Sequence, residues 1–193
     1  MEGNNWDSLK KYTNARIALG RSGNSIATPA LLDFRRAHAL ARDAVYAPLQ
    51  DALLISELKN LGTQCLLVHS NAPYRNIYLQ RPDLGRSLNE HSTNLLENYT
   101  GPQQDIAIIL ADGLSATAIH NHAIPFLKTL LLKKEWSYKL DVVTIAWQSR
   151  VALGDEIGHL LKAKLTVMLI GERPGLSSPD SMGIYMTLLQ ILA

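Results

Sequence analysis

Cysteine is almost missing from this chain. Cys65 is the only one in 193 residues, which excludes an internal disulfide and any multi-cysteine metal cluster. Its setting, Cys65-Leu-Leu-Val-His69, reads as a buried strand, so packing is its expected role. Aromatic residues are few, and no aromatic-and-basic stripe accompanies the cluster of Arg35, Arg36 and Arg42, so a nucleic-acid surface is not expected. That cluster reads as a solvated helix face, or one that faces a protein partner. No apolar run approaches the roughly 18–20 residues of a bilayer span. The stretch 1–11 is polar and lacks the charged-then-apolar order of a secretory signal, so export is not expected either. The net charge of +2 leaves no strong imbalance, with basic residues scattered among acidic ones. The P-loop pattern is absent, no G-x-S-x-G elbow surrounds Ser115 or Ser177, and Gly20-Arg21-Ser22-Gly23 is not a dinucleotide fingerprint. No nucleotide or serine-hydrolase motif survives.

What is present divides into two stretches. Residues 1–62 read as a helical segment. Thr28-Pro29 resembles an N-cap with proline in the first turn, and Leu31, Phe34, Ala37, His38, Ala41 and Val45 then recur at helical spacing. Pro48 interrupts, and a second helix over 49–61 closes at Gly62. Residues 63–193 alternate short apolar runs with amphipathic stretches. Strands are expected at 65–69, 105–111, 140–146 and 165–170. A loop is expected over 70–81, with helices at about 82–98, 116–134 and 152–162. Runs apolar throughout indicate strands covered on both faces. Repeated strand–helix units make the expected fold class α/β, a doubly wound, mostly parallel sheet flanked by helices and preceded by the helical segment.

In open α/β sheets, ligands bind outside the carboxyl ends of the strands. Two loops expected there carry distinctive residues. In Ala111-Asp112-Gly113-Leu114-Ser115, Gly113 permits a tight turn or close ligand approach, and Ser115 is suited to cap the following helix. A plain strand-to-helix turn accounts for the same residues. In Gly171-Glu172-Arg173-Pro174-Gly175, a carboxylate and a guanidinium stand side by side in a stiff loop. Glu172 is suited to accept hydrogen bonds from ligand amides, and Arg173 to pair with Glu172 or another carboxylate; a local surface ion pair is the alternative. Asp155 and Glu156 near a helix start are explained by the helix dipole. His120-Asn121-His122 looks metal-like but falls inside a helical stretch, where partly exposed histidines are the expected reading. No catalytic residue and no metal ligand is assigned.

Taken together these strings resemble the small (light) chain of ethanolamine ammonia-lyase. The matches are Ala15-Arg-Ile-Ala-Leu-Gly-Arg21, His38-Ala-Leu-Ala-Arg-Asp43, Val68-His-Ser70, Tyr78-Leu-Gln-Arg-Pro-Asp-Leu-Gly-Arg86, Ala111-Asp-Gly-Leu-Ser115, Gly154-Asp-Glu-Ile-Gly158 and Gly171-Glu-Arg-Pro-Gly-Leu-Ser-Ser-Pro-Asp-Ser181. They run from about residue 14 to 187. The resemblance implies a subunit of a lyase that converts ethanolamine to acetaldehyde and ammonia by a radical route with adenosylcobalamin. The partner would be a large, barrel-shaped subunit that holds the substrate, in a hetero-oligomer without nucleic acid or membrane. The subunit would lie in the cytoplasm or inside a bacterial microcompartment. The resemblance further implies that Val151 and Glu172 contact the cobalamin, just beyond the carboxyl ends of neighbouring strands. The Asp-x-His-x-x-Gly string of base-off cobalamin domains is absent, so base-on binding without a protein ligand to cobalt is expected.

The resemblance implies one departure. The family pattern continues into an Asn-Cys-Ile-Ser-Asn-Ile-like string whose cysteine also meets cobalamin, whereas this chain leaves the pattern at about Leu188. Residues 63–193 are therefore expected to form a cobalamin-contacting domain truncated at its C-terminus relative to the family, with weakened cofactor binding. Two alternatives stand beside this reading: a free-standing doubly wound domain for a phosphate-bearing small molecule, using helix N-termini after Asp112 or Pro179, and a remnant that docks without supporting catalysis.

Overall fold

The computed structural model describes residues 6–102, 104–132 and 142–188. A short 3-10 turn (Asp7–Tyr12) precedes a two-residue-per-strand hairpin, β1 (Arg21–Ser22) and β2 (Ser25–Ile26). The Gly20–Gly23 string, which matched no nucleotide motif, forms this hairpin; both glycines take positive φ, at 71° and 63°. Helix α1 (Thr28–Tyr46) follows, with Ala27 at the cap position and Thr28 already helical. Thr28 thus misses the expected capping role by one residue. Helix α2 (Asp51–Asn60) ends where Gly62 turns to φ 77°.

The sheet begins with β3 (Gln64–His69). Helix α3 (Arg75–Gln80) occupies part of the expected loop, because Tyr74–Gln80 carries no residue that stops a single turn. The expected helix at 82–98 reduces to a 3-10 turn (Leu84–Arg86) and α4 (Glu90–Glu97), which Asn89 caps by accepting the Ser92 N–H at 2.8 Å. Strand β4 (Ile106–Ala111) leads into α5 (Ala116–Leu131), whose expected extension to Lys134 lies outside the described residues. Strand β5 (Val142–Trp147), helix α6 (Leu153–Leu160) and strand β6 (Leu165–Gly171) follow. A last strand, β7 (Met182–Leu188), adds to the expected ones; Met-Gly-Ile-Tyr-Met-Thr-Leu follows the 172–181 loop and turns back antiparallel on β6.

The order across the sheet is β3-β5-β4-β6-β7, parallel except for β7, which runs antiparallel to β6. This is the expected α/β architecture, a mixed sheet of mostly parallel strands flanked by helices. The two faces follow from the pleat of β4. Ile108 and Leu110 meet Leu54 and Leu58 of α2 and Ile119 and Leu127 of α5. Ala107, Ile109 and Ala111 meet Leu96 of α4 and Leu153 and Ile157 of α6. Each such leucine or isoleucine contributes roughly 1.5–3 kcal/mol by burial, so the alternation of helices across the sheet is strongly specified. Cys65 is an exception to the expectation of a buried strand. Edge strand β3 is only partly covered, and the thiol is half-buried. Among the described residues, no helix is long and apolar enough to cross a membrane.

Candidate functional site at the strand tips

Because β3 to β6 are parallel, their carboxyl ends lie at one end of the sheet. At β4 and β5 the chain leaves toward opposite faces, into α5 and α6 respectively, which opens a crevice between the two tips. Asp112 fills it. Its side chain, 3% exposed, accepts the backbone N–H of Gln148 at 3.0 Å and of Ser149 at 3.1 Å. Burial drives this carboxyl upward from its ordinary value, opposed by the Arg75 guanidinium and by the amides of Ser149, Gln148 and Gly113. The clamp helps hold Gln148 at φ 54°, a left-handed conformation that costs a non-glycine residue roughly 1–3 kcal/mol.

The rest of the β5 tip is held as firmly. Tyr78 of α3 is wholly buried, and its hydroxyl donates to the Ser149 carbonyl at 2.8 Å. Desolvation, reinforced by the Asp112 charge, pushes this phenol far above its ordinary range. The guanidinium groups of Arg75 and Arg150 lie 5.0 and 4.4 Å from its ring centre. Arg75 also donates to the carbonyls of Gly113 (2.8 Å) and Val45 (2.7 Å), tying the end of α1 to the β4 tip. Ser70 Oγ donates to the Gln148 carbonyl at 2.7 Å, and Arg150 N–H to the Gly85 carbonyl at 2.8 Å. Val151 projects from this support, 37% exposed. Asp155 and Glu156 do begin α6, but Glu156 also accepts the Leu88 N–H at 2.8 Å, a brace that dipole reasoning did not predict.

The β6 tip is built differently. Leu114 N–H donates to the Gly171 carbonyl at 2.8 Å, an approach close enough that a Cβ on Gly113 or Gly171 would collide with the opposite backbone. Gly113 therefore serves a tight turn (φ 52°) and loop-to-loop packing. Ser115 caps α5 as expected, accepting Ala118 N–H at 3.3 Å, and donates to the Pro179 carbonyl at 2.9 Å. The 172–181 loop thus covers the α5 N-terminus, and a strand rather than a helix follows Pro179, so neither helix start required by the phosphate-binding alternative is open. Asp180 accepts from Asn121 Nδ2 at 3.1 Å and meets His122 at 3.2 Å. The metal-like string is thereby accounted for: His120 Nε2 accepts the Gln50 N–H at 2.9 Å, and desolvation lowers that imidazole from its ordinary 6.5. No group of three or more potential metal-binding side chains occurs among the described residues.

Glu172 lies half-buried just beyond β6. Its partner among the described residues is the Tyr185 hydroxyl, which donates to Oε1 at 2.6 Å, rather than the adjacent Arg173. That bond raises the Tyr185 phenol above its usual value. Gly183 makes the arrangement possible, since a Cβ there would overlap Glu172 Oε1. Val151 and Glu172 share one end of the sheet, but β4 stands between β5 and β6, so their strands are not neighbours as expected. Sequence reading did not identify Arg75, Tyr78, Tyr185 or Gly183, whose roles come from contacts across the chain. Only the string around Tyr78 gave a hint.

Fold and site together define a doubly wound α/β domain that presents two differently supported loops at its strand tips and carries a helical arm. The chain belongs to the ethanolamine ammonia-lyase light chain family, whose model matches residues 3–190. The ethanolamine ammonia-lyase small subunit of Pseudomonas fluorescens (strain Pf0-1) is 53% identical over 190 residues, covering 95% of this chain and 69% of the relative. Those of Pseudomonas aeruginosa (strain LESB58) and Pseudomonas syringae pv. tomato (strain ATCC BAA-871 / DC3000) are 52% and 50% identical, covering 69% and 66% of the relatives.

Proposed function

We propose that this chain is the small subunit of an adenosylcobalamin-dependent ethanolamine ammonia-lyase, and that its strand tips close the cobalamin site against a large subunit. Support comes chiefly from one observation: the loops bearing Val151 and Glu172 emerge at the same end of the sheet in a chain of this family. The residues suit the group. A corrin carries apolar faces and a rim of amide arms; Val151 offers an exposed apolar side chain, and Glu172 an acceptor carboxylate held in place by Tyr185. When bound, adenosylcobalamin supplies the radical by homolysis of its cobalt–carbon bond. The chain's own contribution is to orient the corrin, exclude water at the subunit boundary and leave the substrate to the large subunit. It does this in the cytoplasm or within a microcompartment.

Reconstitution tests this. The chain alone should not turn over ethanolamine; with the large subunit and adenosylcobalamin it should, and Glu172→Ala should weaken cobalamin binding by about 1–3 kcal/mol. A folded chain that neither co-purifies with the large subunit nor supports cobalamin absorbance in the mixture would refute the proposal.

A further inference from the structure

Until its end, where Leu49 is buried in the core, the arm formed by residues 6–50 touches the sheet layers sparingly. Along the whole of α1 only Ala37 and Ala44 are buried, while Leu32, Phe34, Leu40 and Tyr46 stay at least 41% exposed. Between the arm and the strand-tip loops runs an apolar groove of about 440 Å³, lined by Leu19, Ile26, Leu31, Phe34 and, from the 172–181 loop, Leu176. Arg16 stands at its rim with its guanidinium 6.0 Å from the Phe34 ring centre. Small-molecule sites need a few convergent polar groups in addition to apolar walls, and this groove's walls supply none beyond Arg16. An apolar patch of this kind on a folded chain marks an interaction site, and a wall without polar groups suits the apolar side chains of another protein.

Charge narrows the occupant. Residues 6–50 hold seven basic side chains against three acidic ones, more positive charge than the whole chain's net +2. Two such arms repel, which disfavours a second copy. A nucleic acid would satisfy the charge but leave the apolar groove unfilled. We infer that the groove is a docking site for an apolar segment of a different polypeptide, flanked by carboxylates that face Arg16 and the arm's other arginines. Given the proposed function, on which this inference rests, that polypeptide is the large subunit. Leu176 belongs to the same loop as Glu172, so a segment seated here would bring the partner over the strand tips.

The test is equilibrium binding of the full chain to the purified large subunit at low and high salt. Phe34→Asp should weaken association by about tenfold or more, as loss of a buried aromatic anchor does. Arg16→Glu should weaken it mainly at low salt, because it reverses a rim charge. Both positions lie outside the core clusters, and unchanged melting curves would exclude misfolding. Wild-type binding with both variants within about twofold of it would overturn the docking site while leaving the functional reading intact. A wild-type chain that does not bind the large subunit would overturn both. Self-association abolished by Phe34→Asp, or nucleic-acid retention abolished by Arg16→Glu, would replace the large subunit as occupant.

Discussion

The two halves of the strand-tip site are supported by opposite means. The Val151 loop rests on a buried polar network in which Asp112, Tyr78, Arg75 and Ser70 each bond to backbone. The Glu172 loop has one buried side-chain support, Ser115 at the Pro179 carbonyl, and otherwise rests on half-exposed and exposed side chains: Tyr185 at 40% exposure, Asp180, Asn121 and His122. A buried network is rigid but sensitive, since removing one member leaves the others unsatisfied away from water. A peripheral one is cheap to alter and easily displaced. The molecule therefore combines a fixed apolar projection with an acceptor whose direction is set at the sheet's edge.

Asp112→Ala should be the most damaging single change at this end of the molecule. It strands two buried amides and one face of Arg75, and should cost about 3–5 kcal/mol, read from the denaturant midpoint. A loss under about 1 kcal/mol would mean that water replaces the carboxylate and that the β5 tip is less dry than its burial implies. Tyr78→Phe is milder. It leaves the Ser149 carbonyl without its donor and should cost about 1–2 kcal/mol. Amide exchange should quicken in residues 149–152 and not in 172–181, if the two supports are independent.

On the other side the expected effects move from stability to binding. Gly183→Ala places a Cβ where Glu172 Oε1 lies. Because that atom ends a flexible side chain, the fold should survive while the carboxylate swings off Tyr185. In the reconstituted complex, cobalamin affinity should then fall by about as much as in Glu172→Ala, roughly 1–3 kcal/mol, with the melting curve nearly unchanged. Full affinity in Gly183→Ala would show that the carboxylate's direction does not matter.

This contrast also explains how far the sequence could be read. The strongly apolar runs of β4 and β6 and the Ser115 cap are local signals, and each appears in the structure. So do the two loops at the sheet's carboxyl end, because strand direction and right-handed crossover follow from the alternation of elements. What escaped was set by partners distant in the chain. Arg75 joins Val45, Gly113 and Asp112, and Tyr185 meets Glu172 only once β7 has folded back antiparallel on β6. Strand order escaped for the same reason: that β4 separates β5 from β6 is decided by packing on both faces, and no spacing in the chain records it.

The smallest expected effect is a pH signature confined to the exposed support. The Asn121 amide, and after it the His122 ring, hold the Asp180 carboxyl below its ordinary 3.8. Between that lowered folded value and 3.8 the unfolded chain binds more protons, so stability from this contact rises with pH in that window. It is complete above 3.8 and is lost as pH falls through the folded value. Asp180→Asn should remove the slope and leave stability at neutral pH little changed, because the side chain is solvent-screened. Acid titrations of the melting temperature for both proteins would show it. An identical acid limb in the two would mean that Asp180 does not help hold the Glu172 loop. That loop would then depend on the backbone bonds of Gly171 and Glu172 and on Ser115, and the contrast between the two tips would shrink to that between Tyr78 and Tyr185.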